Sequence, residues 1–535
     1  MSRQVFRWVA AAVAVAWFCA GAMPAGAITI KLSGPLTVAG DVLNFAVSPD
    51  GAYVVYRADD ELDAVANLFS VRIGGGAPVR LNAPLPANGD VVDFRISPDS
   101  QRVIYRASYN TAGQFELFAA PIGGGAPVRL SQALVAGGNV LQFAIAPDSS
   151  SVAYLADALV DGDNELFINT FAGSSVRLNV ALPAGGVING FAYSASGAYL
   201  IYRGDQEVDE RTDAYSVEPN ATNRRRLSGN LPATGDVSQF AIAPNDQRAV
   251  FIGDETDGKA ELFSGPLEGP GVFPTKLSGA LGADRDVLEF AFVPGSPDVL
   301  FLADGQSDDQ YELFRVPQTG GTPVLASVGT SNADSDVTDF AMAPNGSRLL
   351  FLADGVAEGR VELFSVAGDG SAGAFRLNSA QIQADGDVTD FKINAASARA
   401  VYRSDEQTDE KFELYSIGLL GQTRTKLNPA AINDVLDYQL SADGETVVFR
   451  ATAAADGAIN LYQVPINGGQ AARLDGASVA GGNVAAISPL VPSFALTPAM
   501  RQVVYLADHD EDEKIELYAF DSFRRTYAPL ALRGQ

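Results

Sequence analysis

Past residue 27 the chain alternates short apolar runs with short polar breaks, and no apolar stripe recurs at helical spacing. The first unit shows the scheme. Residues 44–47 read as a short strand, and Ser48-Pro49-Asp50-Gly51 as a turn, with proline suited to its second position and glycine to its last. Residues 53–57 alternate β-formers and predict a second strand, and 59–66 form an acidic loop. A third strand is predicted over 67–73, a tight turn at Gly74-Gly75-Gly76, and a fourth strand over 78–81.

The same unit is written ten times. Its anchoring aromatics are Phe45, Phe94, Phe143, Phe191, Phe240, Phe290, Phe340, Phe391, Tyr438 and Phe494, spaced 47 to 56 residues apart. A period in this range marks a solenoid, a propeller or an array. Four short antiparallel strands per repeat fit a propeller blade; solenoid coils are usually shorter and sandwiches need more strands. The expected fold is therefore an all-β propeller of ten four-stranded antiparallel blades over residues 28–535. One closed ring is favoured over two smaller propellers in tandem, because no spacer interrupts the repeats before Phe494. Residues 28–33 (ITIKLS) match the end of a blade, so an N-terminal strand is expected to complete the last blade and remove an open sheet edge. Residues 526–532 compete for that role.

The stretches FAVSPDGAYVVYRAD (45–59) and NLFSVRIGGGAPVRLN (67–82) resemble the PD40, or WD40-like, repeat of TolB-type propellers. The resemblance runs through 28–535. It is strong at 48–51, 97–100 and 343–346 and weak at 394–397 and 497–500. A separate N-terminal domain of the TolB kind is lacking, so a role in the Tol envelope system does not carry over, and there is no Trp-Asp signature. Such repeats also occur in peptidases and lyases, so the resemblance implies a fold and leaves function open.

Residues 1–27 read as an address. Arg3 and Arg7 precede an apolar run over 9–18, too short to span a bilayer as a mature helix, and Ala25-Gly26-Ala27 suits a signal peptidase. Cleavage before Ile28 is expected, with an uncleaved membrane anchor as the alternative; Trp17 and Phe18 before Cys19 do not resemble a lipobox. The mature chain would be a periplasmic or extracellular protein with no cysteine, no tryptophan and hence no disulfide. No later apolar run is long enough for a transmembrane helix.

Charge changes the picture most. The chain carries 37 basic and 64 acidic residues, a net charge of −27, which argues against nucleic acid as a partner. The loops between second and third strands hold 37 acids, opposed only by Arg211, Lys259, Arg360, Lys411 and Lys514. Inter-blade loops add Asp41, Asp90, Asp236, Asp286, Asp336, Asp387 and Asp434, four residues before the aromatic, with Asn139 in that place once. Chain reversal puts both loop sets at one end of the blades, so a strongly acidic binding face is expected there.

That acid has a plain use, solvation and loop capping, and a sharper one, binding cations or a basic partner. Calcium is the natural cation, since it takes several carboxylate oxygens. Its candidate ligands are Asp508, Asp510 and Asp512, and then Asp161, Asp163 and Glu165; neither set has the rest of an EF-hand loop. Lys31, Arg80, Arg129, Arg177, Arg226, Lys276, Arg376, Lys426 and Arg473 recur in strand four and read as protection of an exposed edge. His509 is the only histidine, so a Ser-His-Asp site would have to be built around it. The favoured reading is an exported, non-enzymatic propeller whose acidic face binds a protein or cell-surface component, a basic one by charge. The alternatives are a calcium-binding adhesion module and a carboxylate-dependent glycosidase or lyase.

Overall fold

A computed structural model describes residues 28–521 apart from short loop stretches, the longest being 380–385 and 486–491. Residues 1–27, read above as an address, and the segment 526–532 lie outside the described residues. Blade one is Val42–Val47, Tyr53–Ala58, Asn67–Arg72 and Val79–Arg80, paired in chain order as an antiparallel sheet. Nine such sheets follow one another along the chain. The tenth takes Phe494–Leu496, Gln502–Ala507 and Glu516–Asp521 from the C-terminal end and Ile28–Lys31 from the N-terminal end. No helix occurs among the described residues.

Strands two and three are buried on both faces, because each blade is sandwiched between two others, so they read as nearly continuous apolar runs. Their contents differ by face. One face carries a cross-strand aromatic pair: Tyr56 lies opposite Phe69, with ring centroids 5.3 Å apart. Every blade has the equivalent pair, from Tyr202–Tyr215 at 5.2 Å to Tyr505–Tyr518 at 5.8 Å. The other face is aliphatic, as in Val55, Leu68 and Leu81 of blade one. Each of ten separate cores joins the aliphatic face of one blade to the aromatic face of the next. One of them packs Leu506, Leu517 and Ala519 of blade ten on Phe45, Tyr56 and Phe69 of blade one. Blade ten therefore meets blade one as any blade meets its successor. The architecture is a single ring of ten, beyond the usual four to eight blades.

Polar contacts tie neighbouring blades at both ends of the sheets. In the first turn, the Ser48 hydroxyl donates to Asp50 (2.6 Å) and holds that carboxyl below its usual range. The Asp50 N–H then donates to Ser100 Oγ of the next blade at 3.0 Å, and Asp99 repeats this with Ser149. Near the channel, strand one carries a bulge three to one residues before its aromatic, as between Val91 and Asp93. Bulged carbonyls lack ladder partners. Arg106 pairs with Asp93 at 2.8 Å and also donates to Val140 O (2.9 Å) and Leu141 O (2.6 Å) at the bulge of the following blade. Arg203, Arg403 and Arg450 reach forward in the same way.

Leu32, just past the closing strand, is 1% exposed in the core between blades ten and one. Leu32→Ala is expected to cost about 3 kcal/mol in chemical denaturation. A cost under about 1 kcal/mol would mean that the N-terminal strand does not close the ring.

Candidate functional site

The loops between strands two and three and those between blades lie at the same sheet end, and their acids fall into three groups. The first group staples blade to blade. Asp41 Oδ1 accepts the Ile515 N–H at 2.7 Å, Asp90 that of Ala66 at 3.0 Å, Asp236 that of Thr212 at 2.7 Å and Asp286 that of Ala260 at 2.7 Å. Asp336 takes Tyr311 at 2.8 Å, Asp387 takes Val361 at 2.7 Å and Asp434 takes Phe412 at 3.2 Å. Each donor opens strand three of the preceding blade. Asn139 and Asn483 do the same without charge, at 2.8 Å each. These side chains are therefore partly spent on backbone donors, and burial pushes the Asp90 carboxyl up. A second aspartate, first in the acidic loop, completes the relay: Asp304 Oδ1 accepts the Asp286 N–H, and Asp405 that of Asp387.

The second group opens strand three and is buried. Glu116, Glu165, Asp213, Glu261, Glu362, Glu413 and Glu516 are at most 4% exposed. Each is paired with the recurrent base of strand four. Arg129–Glu116 measures 2.7 Å, Arg177–Glu165 2.6 Å, Lys276–Glu261 2.6 Å and Arg376–Glu362 2.6 Å. Seven of the nine bases read as edge protection, Lys31, Arg129, Arg177, Arg226, Lys276, Arg376 and Lys426, thus have a further role as counter-ions of buried carboxylates. The reason is register. The base lies opposite the strand-three aromatic, one diagonal step from the acid, and an isolated buried carboxylate would be costly.

The third group is exposed at the loop tips: Asp161, Glu207, Asp209, Glu210, Asp309, Asp409, Glu410, Asp456, Asp510, Glu511 and Asp512. Three tips, Asp161, Asp209 and Asp512, lie over glycines of the inter-blade loop. A Cβ on Gly137 (φ 90°) would meet the Asp161 carboxyl at 2.7 Å, and one on Gly481 (φ 93°) that of Asp512 at 2.8 Å.

The six candidate calcium ligands divide among these groups. Asp508 is buried and turned inward, accepting the N–H groups of Asn483 and Glu513. Asp510 pairs with Lys31 at 3.0 Å, and Asp512 lies outside over Gly481. Asp161 is exposed, Asp163 is half-buried and Glu165 is held by Arg177. Among the described residues, no three of His, Cys, Asp or Glu are placed to share an ion.

Sequence reasoning missed two features. His509 is 4% exposed, between the rings of Tyr505 (5.6 Å) and Tyr518 (5.0 Å), with Nε2 3.9 Å from Asp475. Burial pushes its pKa below the ordinary 6.5. Near the inner edge of the blades, Glu289 and Asp339 stand at the bulge position opposite Leu302 and Leu352, where blades one, two, four, eight and nine have arginine. Burial, and for Glu289 the neighbouring Asp339, pushes both carboxyls up. The bulge is the tertiary feature that turns these positions into the channel wall.

The chain is a ten-bladed, all-β propeller. Within it, residues 215–455 match the Lipoprotein LpqB beta-propeller domain. No curated protein matches the chain. Among solved structures it is similar to a prolyl endopeptidase, with 12% identity over 78% of this chain and 55% of that one, at a TM-score of 0.39. The chain thus spans about half the length of that enzyme. It is also similar to Porphyromonas gingivalis dipeptidyl peptidase 4 (12% identity, 86% of this chain, 64% of that one, TM-score 0.48). A third is an oligogalacturonate lyase in complex with manganese (13%, 93% and 98%, TM-score 0.35). No helix among the described residues is long and apolar enough to cross a membrane.

Arg177→Met is expected to destabilise by about 2–3 kcal/mol, since it strands Glu165, and adding Glu165→Gln should recover most of that loss. Denaturation of both variants checks this; a neutral single variant would mean the pair does not hold the blade. Because the folded pKa of His509 is lowered, its contribution is fully present above pH 6.5 and falls as the pH drops below that value. Thermal melts from pH 7.5 to 5.5 should show a shallower loss for His509→Gln than for the parent. Parallel curves would show His509 to be freely protonated in the fold.

Proposed function

We propose that this is an exported propeller that works by binding and carries no catalytic centre, and that its partner is a basic protein or cell-surface component held against the acidic loop tips. The observation that carries the reading is the division of the acids. The strand-three acids other than Glu312 are neutralised within their blades by strand-four bases, and the inter-blade aspartates are spent on backbone donors. Asp209, Glu210 and Glu410 stay exposed at the tips. Carboxylates that serve stability are inside; Asp209, Glu210 and Glu410 face outward at the tips, where a partner can meet them. Close like charges on rigid loops raise local cation concentration and steer a basic partner by their summed field. Export is supported by the leader-like residues 1–27 and by the lipoprotein name of the family matched over 215–455.

The test is calorimetric titration with decalysine. Affinity should fall by about tenfold or more as salt rises from about 50 to about 500 mM, as for exposed charges. It should also be weaker in the combined variant Asp209→Asn, Glu210→Gln, Asp409→Asn, Glu410→Gln. Binding that ignores salt, or that the variant leaves unchanged, would overturn the acidic-tip reading.

A further inference from the structure

Blade six breaks the internal pairing rule. The position opposite its strand-three aromatic, which elsewhere holds Arg129, Arg177, Lys276 or Arg376, is Leu325, opposite Phe314. Glu312, the strand-three acid of this blade, therefore has no strand-four base. It is partly exposed where Glu362 is fully buried, and it accepts the Gln306 N–H at 3.2 Å. Arg285 acts on it only through space and spends a guanidinium N–H on Gly305 O at 2.8 Å.

Two further deletions open the space beside Glu312. In blade two Tyr109 covers the strand-three ring, its own ring 4.6 Å from Phe118, and in blade ten His509 covers Tyr518. Blade six has Gly305 there, and a Cβ would meet the Phe314 ring at 2.5 Å. The Tyr56 and Tyr154 hydroxyls accept the backbone N–H groups of Gly34 and Gln132 at the strand-four exit of the preceding blade; blade six has Phe301. The outcome is a cavity of about 400 Å³ lined by Leu281, Phe301, Gly305, Phe314, Thr322 and Pro323. Glu312 shares a strand face with Phe314 and accepts a hydrogen bond from the residue after Gly305, so its carboxylate is placed next to two residues of the lining. Blade seven has the matching Phe351 and Gly355 but keeps Arg376 on Glu362.

We propose that this cavity is a receptor for a single arginine side chain of a protein partner, which replaces the base that blade six lacks. The aliphatic stem would lie along Phe314 and Leu281, and the guanidinium would reach Glu312 over the ring edge. The chain already shows that arrangement internally: Arg424 stands over Tyr415, 4.0 Å from its centroid. Guanidinium suits it better than ammonium, being planar, weakly hydrated and able to stack on an aromatic face while bonding a carboxylate. The proposal deepens the basic-partner reading and locates one contact of it.

The probe is N-acetyl-arginine methylamide, a single cation that tests the cavity apart from the polycation attraction reported by decalysine. In full-length protein at physiological salt, the Leu281 methyl resonances should shift saturably with the probe. Leu325→Arg, which supplies the missing base from within, should weaken binding by about tenfold or more, the loss expected for one charge-assisted contact. Glu312→Gln should do likewise, while decalysine affinity in both variants stays near that of the parent. Unmoved Leu281 methyls, or equal binding in Leu325→Arg, would overturn the cavity proposal whatever decalysine does. Loss of decalysine binding in the parent would instead strike the acidic-tip reading alone.

Discussion

The ring depends on a directional contact between unlike blade faces. Each blade offers a stacked aromatic pair to the blade before it and an aliphatic wall to the blade after it. Large flat rings against small branched side chains fill the wedge between two twisted sheets at interior density, which like faces would not. The contact is also unsaturated: any blade presents one free face of each kind until the last meets the first. Closure is thus enforced by packing, and the strand Ile28–Lys31 supplies the fourth strand that makes blade ten a complete neighbour for blade one.

Burying strands two and three on both faces has an electrostatic consequence. Strand three begins at a loop rich in acid, so its first carboxylate is drawn into the packed region with it. A lone buried charge is far costlier than a paired one, and strand four, only two residues long, provides the base in most blades. The same economy governs the backbone. Inter-blade aspartates answer the N–H groups at the start of the preceding strand three, and arginines answer the carbonyls that the strand-one bulge releases. Much of the acidity that marks this chain is therefore framework, and function is left to loop tips and to places where the framework is incomplete.

Those incomplete places are informative because nine other blades act as controls. Blade six omits a base, a hydroxyl and a covering side chain at once, which leaves an aromatic-floored cavity beside a carboxylate. Blades six and seven carry Leu302 and Leu352 where blade two has Arg106, and Asp339 adds to the burial that pushes the Glu289 carboxyl up. Repetition explains why these departures stand out: each is judged against the same geometry met elsewhere in the ring.

The sequence by itself determined the blade count, the strand order within a blade and the one-sided placement of loops. These rest on local chemistry: Ser-Pro-Asp-Gly turns, period-two apolar runs and a near-constant repeat length. What each charge does was decided by tertiary structure. Asp286 and Asp209 are both loop aspartates in the sequence, yet one caps Ala260 across a blade boundary and the other stands in solvent. Arg376 reads as an edge residue until the register sets it against Glu362. His509, amid acids in a loop, lies under two tyrosines. The partners of Asp286 and Arg376 lie 26 and 14 residues away along the chain, in a neighbouring blade and a neighbouring strand, so no local pattern encodes them; only the folded ring brings them together.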